Sequence, residues 1–112
     1  MDFSELKKEM KGLIFEEIRS DLDNYFEAVI LHKDSARLAS TLGKFFGTPV
    51  FPSETVLAAT IQEAIKSFGG VNRGQTLYFW NEDKKVIFAL LWPWQDKAHT
   101  TLKLVYKSAV GV

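Results

Sequence analysis

The sequence predicts an α+β fold in which two or three helices pack on an antiparallel sheet ending in a C-terminal three-stranded meander, in the element order α-β-α-α-β-β-β. Two observations lead to this prediction. Apolar residues recur mostly at helical spacing up to residue 68, and from Gln75 onward they alternate as in strands. Glycines, prolines and polar clusters separate these segments and mark where the elements end.

Length and composition favour a single folded unit. The 112 residues fit one domain, 1–112, and are too few for two separate cores. The hydrophobic content of 46% is ordinary for a globular chain, and no repeat or polar linker interrupts it. We therefore expect one α+β domain over the whole chain.

The charge balance and the absence of cysteine exclude several classes of function. Lys and Arg total 14, as do Asp and Glu, so the formal net charge is zero. Nucleic-acid binders normally carry a basic excess, so we expect no nucleic-acid partner. Without cysteine the chain forms no disulfide, thiolate nucleophile or cysteine metal site of its own.

Nothing in the hydropathy pattern indicates a membrane protein. The densest apolar run, residues 86–94, is far shorter than a bilayer-spanning helix requires. The charged N-terminus has no apolar signal-peptide core. We expect no membrane partner and a cytoplasmic location.

The N-terminal segment has the pattern of an amphipathic helix. Asp2 and Glu5 have the spacing of a capping box, which satisfies free amides at a helix start. Apolar residues then recur on one face: Phe3, Leu6, Met10, Leu13, Ile14 and Ile18. The pattern predicts a first helix from residue 3 to about residue 20.

Residues 25–31 fit either a strand or part of one helix running from about residue 22 to residue 46. Asp34 is a good N-cap, followed by a helical stripe that includes Leu38 and Leu42. A new cap implies that the preceding element has ended, so we predict a strand over 25–31. The second helix should then end at Gly47.

A stiff connector and a third helix follow. Residues 48–52 hold two of the three prolines and should be extended. Ser53 is the predicted N-cap of a helix that ends at Gly69 and Gly70. Its buried stripe would consist of Leu57, Ile61, Ala64, Ile65 and Phe68.

The last third of the chain predicts the meander. Residues 76–80 and 86–92 form two arms around a polar turn at 81–84, and Pro93 should end the second arm. A second polar turn at 95–97 precedes a strand over 101–107.

The first two meander strands are apolar on both faces, so both faces need a cover. Ile87, Ala89 and Leu91 alternate with equally apolar neighbours, whereas the last strand has one polar side. The second cover is either intramolecular, from helix one or the 48–52 connector, or a homodimer or ligand surface. The sequence leaves both alternatives open.

All three tryptophans, Trp80, Trp92 and Trp94, fall in the hairpin and its exit. Proline between Trp92 and Trp94 fixes the backbone, so two large rings would project from the strand end at a defined angle. Such rings can line a pocket for a planar or sugar-like ligand. Alternatively, they cap the end of the core.

Enzyme signals are weak. Residues 69–74 have the composition of an anion-binding loop with Arg73 as the cation. The loop follows a helix C-terminus, however, where the helix dipole repels anions, so a helix-to-strand connection is the better interpretation. His99, near Asp96, is either a surface turn residue or an acid–base group. Metal-ligand spacing and nucleophile motifs are absent from the sequence, so we predict no catalytic residue, metal or cofactor.

The leading hypothesis is a small non-enzymatic binding or protein-interaction domain that uses the aromatic hairpin surface, with homodimer formation possible. The alternative is a small enzyme or small-molecule-binding protein with a pocket near Arg73, Trp94 and His99. The expected contact surface comprises Arg73, Gln75, Trp80, Trp92, Trp94 and His99.

Overall fold

A computed structural model, which describes residues 1–53 and 55–108, shows three helices and a five-stranded antiparallel sheet. The helices are α1 (Phe3–Lys11), α2 (Ser35–Phe46) and α3 (Ala59–Ile65), with 3₁₀ turns at His32–Asp34 and Lys66–Phe68. The strands are β1 (Glu17–Asp21), β2 (Tyr25–Leu31), β3 (Thr76–Glu82), β4 (Lys85–Pro93) and β5 (His99–Ser108). Their order across the sheet is β1-β2-β5-β4-β3. The predicted fold class is confirmed, with one strand more than expected.

The start of α1 is as predicted, but its predicted extension to residue 20 is wrong. The Asp2 carboxylate accepts a hydrogen bond of 2.8 Å from the Ser4 amide, and the helix ends at Gly12. The chain then forms β1, which pairs antiparallel with β2. Ile18 belongs to β1 and does not continue the stripe of α1, because strand pairing, a long-range interaction, overrides the local helical spacing.

The strand over 25–31 and the helix after it are confirmed. β2 buries alternate side chains completely, namely Phe26, Ala28 and Ile30. α2 buries Leu38 and Leu42 and ends at Gly47, which has a positive φ of 77°.

The third helix exists but begins later than predicted. Ser53 does not cap it; its hydroxyl instead accepts a hydrogen bond of 3.1 Å from the Thr55 amide. This local turn competes with helix formation, as serine side chains often do, and α3 starts only at Ala59. Leu57 therefore lies before the helix, although its side chain still packs into the core.

The C-terminal meander is confirmed. β3 and β4 are joined by Asp83 and Lys84, whose φ values of 50° and 64° are those of a two-residue hairpin turn. β4 ends at Pro93, as expected. β5 then crosses the middle of the sheet between β4 and β2.

The two faces of the sheet are covered differently. α1 and α2 cover one face, here called the helical face, whose strand residues include Phe26, Ile87 and Leu104. The opposite face is here called the reverse face. One half of it is covered by apolar residues between 50 and 71, among which Ile65 is buried. The covered strand residues on this side are Leu77, Phe88, Leu90 and Val105.

The cover of the reverse face is therefore intramolecular over this half. The predicted contribution of the 48–52 connector is confirmed by Val50 and Phe51, whereas helix one lies on the helical face. Lys107 ties the cover to β5, because its ammonium donates hydrogen bonds to the Ala64 carbonyl at 2.6 Å and the Ser67 hydroxyl at 3.1 Å. The other half of the reverse face carries the candidate site.

Candidate functional site

The half of the reverse face that the described residues between 50 and 71 do not cover carries a group of aromatic and charged side chains that we call the tryptophan patch. In the strand register Trp92 lies opposite Thr101, and Lys103 lies opposite Glu27. The patch encloses a shallow concavity of about 210 Å³. Its members are Arg19, Glu27, Trp92, Trp94, Thr101 and Lys103.

Trp94 is held in one orientation by three contacts. Its indole N–H donates a hydrogen bond of 2.8 Å to the Thr101 hydroxyl, and its backbone amide donates one of 2.9 Å to the His99 carbonyl. The indole also stacks on the His99 imidazole, with 4.7 Å between ring centroids. These contacts fix the ring at the exit of β4.

Trp92, by contrast, is 43% exposed, a large exposure for a tryptophan. Each of the two indoles lies beneath a cation. Lys103 Nζ is 5.0 Å from the Trp92 ring centroid, and the Arg19 guanidinium carbon is 5.6 Å from that of Trp94. Both distances are within the range of cation–π attraction.

The carboxylate of Glu27 is already engaged within the patch. One oxygen accepts a short hydrogen bond from the Tyr25 hydroxyl, and the other lies 3.7 Å from Arg19 Nη1. Burial, and next the bond to Glu27, raise the pKa of the Tyr25 hydroxyl above its ordinary value, so this group stays protonated and donates. Arg19 also pairs with Glu17, at 3.2 Å.

Lys103 is the unpaired charge of the patch. Glu27 is its direct cross-strand neighbour, yet among the described residues Lys103 has no ion pair with any carboxylate. Its ammonium rests on the Trp92 ring on one side. Its N–H groups can therefore donate to an acceptor outside the chain.

His99 and Asp96 form the turn beside the patch. The Asp96 carboxylate accepts hydrogen bonds from the amides of Ala98 and His99 through one oxygen, and its other oxygen lies 2.6 Å from His99 Nδ1. The amide of Ala98, followed by the His99 side chain, lowers the pKa of the Asp96 carboxyl. Such a pair can orient an imidazole for proton transfer.

The turn lacks the other parts of a hydrolytic or metal centre. In the part of the chain described, no hydroxyl bonds to the His99 ring, and the Thr101 hydroxyl already accepts from Trp94. Nor do residues 1–53 and 55–108 place three or more His, Asp or Glu side chains where they would hold a metal ion.

The structure brings together three of the six residues predicted for the contact surface, namely Trp92, Trp94 and His99. Trp80 pairs with Ile87 and packs on the helical face, away from the other two tryptophans. Gln75 is buried, and its side-chain oxygen accepts a hydrogen bond of 2.8 Å from the Asn72 amide. Arg73 is exposed in the same turn and does not line the patch.

Sequence reasoning missed Arg19, Glu27, Thr101 and Lys103 as members of the site. The alternation of β5 had indicated that Thr101 and Lys103 share a polar side, and this was the available signal. Arg19 gave none, because the first helix was predicted to extend to about residue 20, whereas Arg19 lies in β1.

A second concavity, of about 810 Å³, lies between the connector and α3. Its apolar walls include Phe51, Leu57 and Val71, and its charged lining residues, Glu63 and Lys66, are exposed. Among the described residues that line this groove no charged group is buried where it would orient a ligand, so the tryptophan patch is the better candidate.

Comparisons with protein-family models, with curated proteins and with solved structures found no match to this chain. No helix within residues 1–53 and 55–108 has the length and apolar character needed to cross a membrane. The function is therefore inferred from the geometry of the side chains.

Proposed function

We propose that this protein is a non-enzymatic protein-interaction domain, and that its tryptophan patch binds an acidic segment of a partner protein. The single observation that supports this most is the exposure of Trp92, at 43%, beside the fixed ring of Trp94, with a cation over each indole. Tryptophan and arginine are the residues most often found to dominate the energy of protein interfaces.

The size of the concavity favours a protein over a small molecule. Sites for small ligands usually enclose about 300–1,000 Å³ and bury most of the ligand. The patch encloses about 210 Å³ and lies on the surface of a sheet. A flat aromatic surface with a charged rim fits a protein contact better.

The charge of the patch favours an acidic partner. Glu27 already pairs with Arg19 and accepts a hydrogen bond from the Tyr25 hydroxyl, whereas Lys103 has no described carboxylate partner. A carboxylate from outside would reach Lys103 at the edge of the Trp92 ring. Because this attraction acts at the surface of the protein, binding should weaken as salt is added.

Site-specific photo-crosslinking tests the proposal. A benzophenone amino acid at position 92, in cells that make the protein, should give a discrete adduct with one partner, identified by mass spectrometry. The same probe at Val56, which is 88% exposed outside the patch, is the matched control. An identical adduct pattern at both positions would count against the patch.

Binding of the purified partner then decides the matter. Trp92→Ala and Lys103→Glu should each weaken binding by at least about tenfold, as expected when an interface anchor or a paired charge is lost. Val56→Ala should leave affinity unchanged. Unchanged affinity for Trp92→Ala and Lys103→Glu would disprove the proposal.

A small enzyme is a second candidate, because Asp96 holds His99 Nδ1 at 2.6 Å and so leaves Nε2 for proton transfer. The geometry predicts an activated Nε2, which acylation by diethyl pyrocarbonate should modify faster at His99 than at the exposed His32. Equal or slower modification of His99 would remove this candidate. His99→Asn should leave the affinity for the protein partner unchanged.

A further inference from the structure

The two edges of the sheet are protected to different degrees. At the β3 edge, residue Phe51 pairs with Leu77: the Leu77 amide donates to the Phe51 carbonyl at 3.0 Å, and the Val50 amide donates to the Leu77 carbonyl at 2.8 Å. At the β1 edge, β2 is the only strand of the described chain that pairs with β1. The outer backbone groups of β1 therefore form a template for another strand.

Exposed aliphatic side chains concentrate at this same edge. Ile18, in β1, is 52% exposed, and Ile14 and Leu22, just outside its two ends, are 70% and 56% exposed. These are three of the five large hydrophobic side chains that the described chain exposes, and the other two are Trp92 and Val56. An unpaired strand with apolar side chains around it is the usual starting point for strand addition.

We propose that β1 pairs antiparallel with β1 of a second copy of this chain, joining two five-stranded sheets into one of ten strands. A register centred on Ile18 places Ile18 opposite its own copy and Glu17 opposite Arg19 of the second copy, on both sides of the two-fold axis. A register centred on Arg19 would instead oppose Arg19 to Arg19 and Glu17 to Asp21. Since opposite charges stabilise a cross-strand pair and like charges destabilise it, the first register is favoured.

The net charge is consistent with this pairing, whereas the bulge between Ile18 and Ser20 limits its length. Because the bulge falls at Arg19, regular backbone pairing is expected only up to Ile18, and the contact of Arg19 with Glu17 of the second copy depends on their side chains. The formal net charge of zero leaves no overall repulsion between copies. The pairing uses the edge of β1 and shares only Arg19 with the tryptophan patch, so it can hold whether or not the patch binds a partner.

The two-fold symmetry of this dimer determines on which side its two tryptophan patches lie. In an antiparallel β1–β1 pair the two-fold axis is perpendicular to the sheet, so both reverse faces point the same way. The dimer would therefore present two tryptophan patches on one side.

Charge variants test the register. Wild-type protein at high micromolar concentration should have twice the chain mass of 12.7 kDa by light scattering. Glu17→Arg and Arg19→Glu, analysed separately, should be monomeric because each opposes like charges across the two-fold axis. An equimolar mixture of the two should recover the doubled mass, since every cross-axis pair is then opposite in charge. A monomeric wild type, or single variants that remain dimers, would overturn the proposal.

Cysteine crosslinking gives an independent readout, because the chain has no cysteine of its own. In the proposed register Ile18→Cys lies next to its symmetry mate, within the reach of a disulfide. Mild oxidation should convert most of this variant to a covalent dimer, while Val56→Cys, which is more exposed than Ile18 but remote from β1 in sequence, should remain mostly monomeric. Equal crosslinking of the two variants would overturn the register.

Discussion

The indole of Trp94 donates a hydrogen bond of 2.8 Å to the hydroxyl of Thr101, across the turn that joins β4 to β5. Thr101 is buried, so this bond satisfies a polar group that water does not reach. Trp92, two residues earlier, makes no hydrogen bond through its indole among the described residues. The two neighbouring tryptophans therefore have different roles: Trp94 stabilises the turn, and Trp92 remains available for contact.

This difference predicts unequal effects of removing each indole. Trp94→Phe should lower the free energy of unfolding by about 1–2 kcal/mol, because it removes the donor to Thr101. Trp92→Phe should change it by less than about 0.5 kcal/mol, since an exposed ring is replaced by another ring. Urea denaturation measures both. Equal losses for the two tryptophans would contradict the different roles assigned to them. Trp94→Phe and Thr101→Val remove the same hydrogen bond, so their combined loss should be smaller than the sum of the single losses, and an additive loss would also contradict the assignment.

Local sequence signals predicted the elements that depend on local interactions. The cap at Asp2, the stripe of Phe3, Leu6 and Met10, and the alternation of the meander all describe neighbours along the chain. β1 could not be predicted in this way. Ile14 and Ile18 continue the helical spacing, and only pairing with β2 makes residues 17–21 a strand.

In the candidate site, too, local signals were visible in the sequence and long-range contacts were not. Trp92 and Trp94 were noticed because two tryptophans around a proline are unusual in any sequence. Trp80 was grouped with them, although the register of β3 against β4 places it on the helical face. Arg19 reaches Trp94 only because β1 lies next to β2, which no local pattern shows.

A cluster of charges joins α1 to β1 and predicts a pH dependence. Asp21 pairs with Lys11 and, at 3.0 Å, with Lys7, and the hydrogen bond from Lys11, followed by that from Lys7, lowers the pKa of the Asp21 carboxyl below its ordinary 3.8. A lowered pKa stabilises the fold at pH values above the ordinary pKa and loses this effect as pH falls through the lowered one.

We therefore expect Asp21→Asn to be less stable than wild type near neutral pH, with a difference that shrinks toward zero below pH 3.8. Added salt should reduce the same difference, because Asp21 and Lys11 are exposed to solvent. Asp23→Asn removes an equal charge two residues away, where no ion pair is described, and serves as the control. Unfolding free energies between neutral and acid pH measure both variants. A pH-independent difference for Asp21→Asn would contradict the ion-pair explanation.

Removing the Phe68 ring tests how much the segment that covers half of the reverse face contributes to the stability of the fold. Its ring lies between those of Tyr25 and Phe88, at centroid distances of 6.1 and 5.5 Å, beneath the Lys107 ammonium. Phe68→Ala should lower the free energy of unfolding by about 2–3 kcal/mol, less than the cost of removing a fully buried Phe ring, because this ring is half-buried. Val56→Ala is the exposed control. A loss below about 0.5 kcal/mol would show that the cover contributes little packing energy.

Two glycines predict opposite effects of the same substitution. Gly43 lies inside α2, where an added Cβ would meet no atom within 4 Å, so Gly43→Ala should stabilise the fold by about 0.5–1 kcal/mol through helix propensity. Gly69 ends the turn after α3 with a φ of 85°, a left-handed conformation in which a Cβ is strained. Gly69→Ala should therefore destabilise it by about 1–2 kcal/mol, although space is also open there. Thermal and urea unfolding of the two variants would measure both signs, and a stabilised Gly69→Ala would show that the left-handed turn is not required.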